Sequence, residues 1–147
     1  MIRPFHTLPD IMELGLLVAK IQNGSGADRE VNAAVMALFF TRESRHIGAR
    51  WDDTDEPVKS DVWVNPLTDE WVSTGPREFT RSLDDILRTM REFLPGASWM
   101  IDANQGVSPG AMLRSGDDIR IRRAPTPERA LLTAFLVVCD QLQRAAS

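Results

Sequence analysis

The chain carries a single cysteine and two histidines in 147 residues, and that shortage removes several kinds of chemistry. One thiol, Cys139, cannot form an internal disulfide framework, and a lone cysteine fits a reducing, cytoplasmic compartment. Cys139 also falls on the apolar part of a helical pattern, where a small inert core residue is the expected role. His6 and His46 stand in no HExxH spacing and no CxxC is present, so a zinc set would have to recruit distant carboxylates. No metal site and no cofactor are expected. Gly24 and Gly26 stand in no GxGxxG or Walker pattern, so they read as a turn. Long apolar runs are missing as well. A run such as Ala134 to Cys139 is far below the ~20 residues that span a bilayer. The start, MIRPFHTLPDIMELG, lacks a sustained apolar core and includes Asp10 and Glu13, unlike a signal peptide. Nor is there an excess of positive charge. With 17 basic against 21 acidic residues the net charge is −4, which argues against general affinity for nucleic acid.

What remains is ordinary globular material, 43% hydrophobic and 26% charged, of a length suited to one domain over residues 1–147. Its clearest unit is Phe79 to Asp102. Ser82, followed three residues later by Asp85, resembles a capping box, and Asp84 and Asp85 suit the positive end of a helix dipole. Leu83, Ile86, Leu87, Met90 and Leu94 then form one apolar stripe, Pro95-Gly96 stops the helix, and Ala97 to Ile101 reads as a strand.

Three further helices are expected. The first starts near Pro9 with a stripe of Leu14, Leu17, Val18 and Ile21. The second is capped by Asp28 and carries Val31, Ala34, Val35, Leu38 and Phe39. The last is capped by Thr126 with Pro127 in its first position, and Leu131, Ala134, Phe135, Val138 and Leu142 make its stripe. Leu132, Leu136 and Cys139 widen that stripe, so this helix should be the most buried.

The charged run Arg42 to Arg45 reads as a lead-in to a loop or first strand near Ile47 to Trp51. Asp52, Asp53, Asp55 and Glu56 read as a solvated acidic loop, lacking the Gly and distal Glu of an EF-hand. Val62-Trp63-Val64 and Glu70-Trp71-Val72 suggest a hairpin about Asn65 to Asp69. Ala111 to Arg114 and Ile119 to Arg123 suggest another about Ser115 to Asp118. The fold class expected is α+β, a mostly antiparallel sheet of hairpins covered by about four helices in a sandwich-like arrangement.

Four blocks, GADREVNAAV, FTRSLDDIL, LPGASWMI and APTPERALLTAFL, occur in that order between residues 26 and 136. Together they resemble the phage ABA-sandwich domain, a family of small phage and prophage proteins. The resemblance implies an α-β-α layered domain in a phage or prophage setting, and it implies no activity and no functional residue.

Two features suggest binding. Trp63 and Trp71, with Trp51 nearby, would suit a protein partner if exposed, and would fill the core edge if not. Arg114, Arg120 and Arg122, with Arg123, share one hairpin. Alternation of Ile119 and Ile121 with Arg120 and Arg122 predicts a buried aliphatic face and a cationic outer face. The reading favoured is a non-enzymatic, phage-type accessory protein that binds a protein partner or itself, with no membrane. A small-ligand or nucleotide binder using the arginine hairpin is the alternative, and an enzyme stands third.

Overall fold

In a computed structural model, residues 3–46, 59–103 and 106–146 are described. The acidic run 52–56, Trp51 and the strand expected near 47–51 lie outside them. The α+β class is borne out: the described residues form four helices and two antiparallel three-stranded sheets. The helices are α1 (Ile11–Asn23), α2 (Arg29–Phe39), α3 (Leu83–Phe93) and α4 (Pro127–Ala145). The first sheet orders β1 (Thr41–His46), β2 (Lys59–Val64) and β3 (Trp71–Ser73) side by side. The second orders β4 (Ser98–Asp102), β5 (Gly110–Ser115) and β6 (Asp118–Arg123). No described helix is long and apolar enough to cross a membrane.

Three of the helices start where their caps say they should. Asp28, Ser82 and Thr126 each sit in extended backbone and accept from the amide three residues on, at Val31, Asp85 and Arg129. The box at Ser82 is only half made. The Asp85 carboxylate accepts from the Glu78 amide at 2.8 Å, while the Ser82 amide donates to the Glu78 carbonyl. Ser82→Ala should cost about 1 kcal/mol, the usual value of a lost N-cap. A thermal midpoint equal to wild type would show that another group supplies the cap.

Helix α4 is the centre of the core, as its wide stripe requires. Leu131, Leu132, Ala134, Phe135, Leu136, Val138 and Cys139 are all fully buried. Burial, aided by Asp140, holds the Cys139 thiol well above its ordinary pKa, so it stays protonated and inert. Around Phe39 of α2 gather Phe5, Phe93 and Phe135, with ring centroids 5.1–5.3 Å away.

In α2 the buried face is Val31, Asn32, Val35, Met36 and Phe39, and Ala34 is exposed instead of buried. The helix is turned because Asn32 is held inward. Its Oδ1 accepts from the Thr80 amide at 3.0 Å and the Thr80 hydroxyl at 2.9 Å, and its Nδ2 donates to Glu78. A second network ties the loop after β3 to α3 and to the end of α2. Buried Arg77 donates to Thr89 Oγ1 and Glu92 Oε1, and its guanidinium lies 4.8 Å from the Phe40 ring centre.

The charged segment Thr41–His46 is itself a strand, not a lead-in to one. As an edge strand with mostly exposed side chains it tolerates charge on both faces. Arg45 bonds Glu43 and Asp69, each at 2.6 Å, and those two hydrogen bonds raise its pKa.

Candidate functional site: the open face of the second sheet

The turn between β5 and β6 sets the register of the second sheet. Gly116 takes φ 60°, a conformation suited to a two-residue hairpin turn, and Ser115 then pairs with Asp118. Each further step fixes a row of neighbours across the strands. Trp99, Leu113 and Arg120 form one row, and Ile101, Ala111 and Arg122 another. Leu113 and Ala111 are buried, because α4 packs against this side of β5.

The rows between point the other way. Met100, Met112 and Ile121 form the central row, with Ser98, Arg114 and Ile119 on one side and Asp102, Gly110 and Arg123 on the other. Met100 is 61% exposed, Ile121 62% and Ile119 47%, so this face is open. The polarity expected of β6 is therefore inverted. Ile119 and Ile121 face out, while Arg120 and Arg122 lie half-buried on the α4 side. Alternation tells which residues share a face, but β5 decides which face meets the helix. On an edge strand, long arginine side chains can bury their stems and keep their heads at the rim. Arg120 there lies 3.4 Å from Asp118.

Two arginines border the apolar centre. Arg114 Nε donates to the Gly116 carbonyl at 3.1 Å, and Arg123 Nη1 donates to the Ser108 carbonyl at 2.8 Å. The Arg123 side chain crosses Gly110, where an added Cβ would meet its Nη1 at 3.4 Å. Both guanidiniums are thus tied to loop carbonyls at opposite ends of the strands, and Met100, Met112, Ile119 and Ile121 stand between them. Such a patch offers apolar area and hydrogen-bond donors at its rim.

The tryptophans do not join this surface. Both belong to the first sheet, where a bulge pairs Trp63 with Ser73 and Val64 with Trp71. Trp63 is buried in the main core, with the Arg42 guanidinium 5.0 Å from its ring centre. Trp71 is 48% exposed. The two hairpins belong to different sheets, and Arg114 faces away from Arg120 and Arg122. Of the four apolar residues of the open face, the sequence pattern put Ile119 and Ile121 on the buried side and did not single out Met100 or Met112, although the Gly116-Asp117 turn and the buried pair Ala111 and Leu113 give their register.

A cavity of about 370 Å³ opens among Phe5, His6, Pro66, Leu67 and Phe93. Its buried amide, Gln143, is bound to the Phe5 backbone, accepting from the amide at 2.7 Å and donating to the carbonyl at 3.2 Å. None of the hairpin arginines lines it. Among the described residues no three His, Cys, Asp or Glu side chains are grouped to hold a metal ion.

Against known protein families, curated proteins and solved structures, the chain finds no match in any of the three comparisons.

Proposed function

We propose that the protein acts by binding a protein partner on the open face of β4–β5–β6, without catalysis. The observation that carries this reading is the row Met100, Met112 and Ile121 at the centre of a well-paired sheet, with Met100 and Ile121 left mostly in water on either side of half-buried Met112. Exposed contiguous apolar patches with polar rims are characteristic of interaction sites, and methionine suits surfaces that adapt to a partner. Arg114 and Arg123 at the rim supply donors for acidic or carbonyl groups of that partner. The resemblance to phage ABA-sandwich proteins supports a phage or prophage accessory role, and the lone buried thiol suits the cytoplasm.

The experiment compares wild type with the pair Met100→Lys and Ile121→Lys. Both sites are exposed, so stability should change by no more than about 0.5 kcal/mol each. Wild type should co-purify a stoichiometric protein from its source cells, and the folded variant should lose it. Retention of that protein by the variant, or no co-purifying protein at all, contradicts the reading.

A further inference from the structure

Helix α1, IMELGLLVAKIQN, is apolar on both sides. Leu14 and Ile21 are buried on its inner side, whereas Met12 is 74% and Leu16 72% exposed on its outer side. A helix that is apolar all round is normally covered all round. The outer residues Met12, Gly15, Leu16 and Ala19 stand at i, i+3, i+4 and i+7, and Leu16, Ala19, Lys20 and Asn23 repeat that spacing. Each set outlines the four-residue hole that receives a knob from a facing helix. Leu16, Ala19, Lys20 and Asn23 indeed border an open groove.

Gly15 supplies an independent observation. A glycine inside a helix destabilises it, so its presence asks for a reason. The chain itself provides none, since an added Cβ at Gly15 would meet no atom within 4 Å. A small residue on an outward helix face lets another backbone approach closely. Charge then selects the occupant. Glu13 and Lys20, seven residues apart, lie on the same flank of the outer stripe, both exposed. Among the described residues neither forms an ion pair. In a two-fold antiparallel pair each flank meets itself with direction reversed, so Glu13 of one copy faces Lys20 of the other, twice. Leu16 then lies beside Leu16 of the opposite copy, close to the two-fold axis, and the helix dipoles oppose favourably. A parallel pair would bring neither charge to its complement.

We propose that the outer face of α1 binds the same face of a second copy of this chain, antiparallel. This surface is separate from the open sheet face, and either can stand without the other. The contact is about 20 Å long, so association should be reversible and depend on concentration.

Sedimentation equilibrium across a concentration series tests this. Wild type should pass from the mass of one chain to that of two. Leu16→Lys should remain at one chain. Gly15→Gln should weaken association by about tenfold or more, while raising the thermal midpoint of the dilute protein, because it removes a mid-helix glycine. Glu13→Lys and Lys20→Glu should each weaken it, and the two together should restore it, a recovery that only the antiparallel pairing gives. Met100→Lys with Ile121→Lys should leave the mass unchanged. Wild type at one-chain mass at the highest attainable concentration, or a charge swap that fails to recover, overturns the proposal.

Discussion

Phe135→Ala should destabilise the fold by about 3–5 kcal/mol, the range found when a large buried aromatic is emptied. Phe135 is fully buried on α4 and stacks on Phe39, with centroids 5.1 Å apart and rings nearly parallel. Phe39 in turn touches Phe5 and Phe93, so the void opens where the N-terminal segment, α2, α3 and α4 all meet. Several rigid elements cannot close on it together, which puts the cost at the upper part of the range. Chemical denaturation gives the number. A loss below about 1 kcal/mol would mean the site can collapse, as a poorly packed region does.

The second large effect is expected at Arg129, which is 2% exposed and has no acidic partner among the described residues. Its guanidinium instead closes the end of α1, donating to the carbonyls of Lys20 at 3.4 Å, Ile21 at 3.1 Å and Gly26 at 2.8 Å. Those carbonyls lie at or past the helix end and need a donor from outside it, and the negative end of the dipole favours the charge. Arg129→Met keeps the length and removes the donors. It should cost about 2–4 kcal/mol, since each orphaned buried carbonyl costs about 1–3. Gly24 makes room for this cap. An added Cβ would stand 2.5 Å from Arg129 Nη1 and 2.9 Å from the Lys20 carbonyl, so Gly24→Ala should also destabilise. Part of that penalty should vanish in the Arg129→Met background, because the closest obstacle is gone. Costs that simply add in the double variant would show that Gly24 and Arg129 are not coupled.

These two residues mark the boundary of what was legible in the chain. Local signals were readable: Asp28, Ser82 and Thr126 cap as their chemistry requires, and the wide stripe of α4 identified the core. Arg129 gave no such signal, since its partners are more than 100 positions away and a helical arginine ordinarily faces water. Asn32 rotates α2 for the same kind of reason, through Thr80 at a separation of 48 residues. Strand β1 was hidden by its charges, which an exposed edge accepts. The candidate site was half readable. The period of two in β6 separated Ile119 and Ile121 from Arg120 and Arg122, but which set faces α4 depends on Leu113 and Ala111 across the hairpin.

The central claim is that the open sheet face meets a protein partner, and position 112 reports on it most directly, lying in the middle row between Met100 and Ile121. A photoreactive phenylalanine analogue at Met112, introduced in the source cells, should form one dominant adduct with a second protein. The same group at Arg88, exposed on α3, should not form it. No adduct from position 112, or the same set of adducts from both positions, would contradict the account.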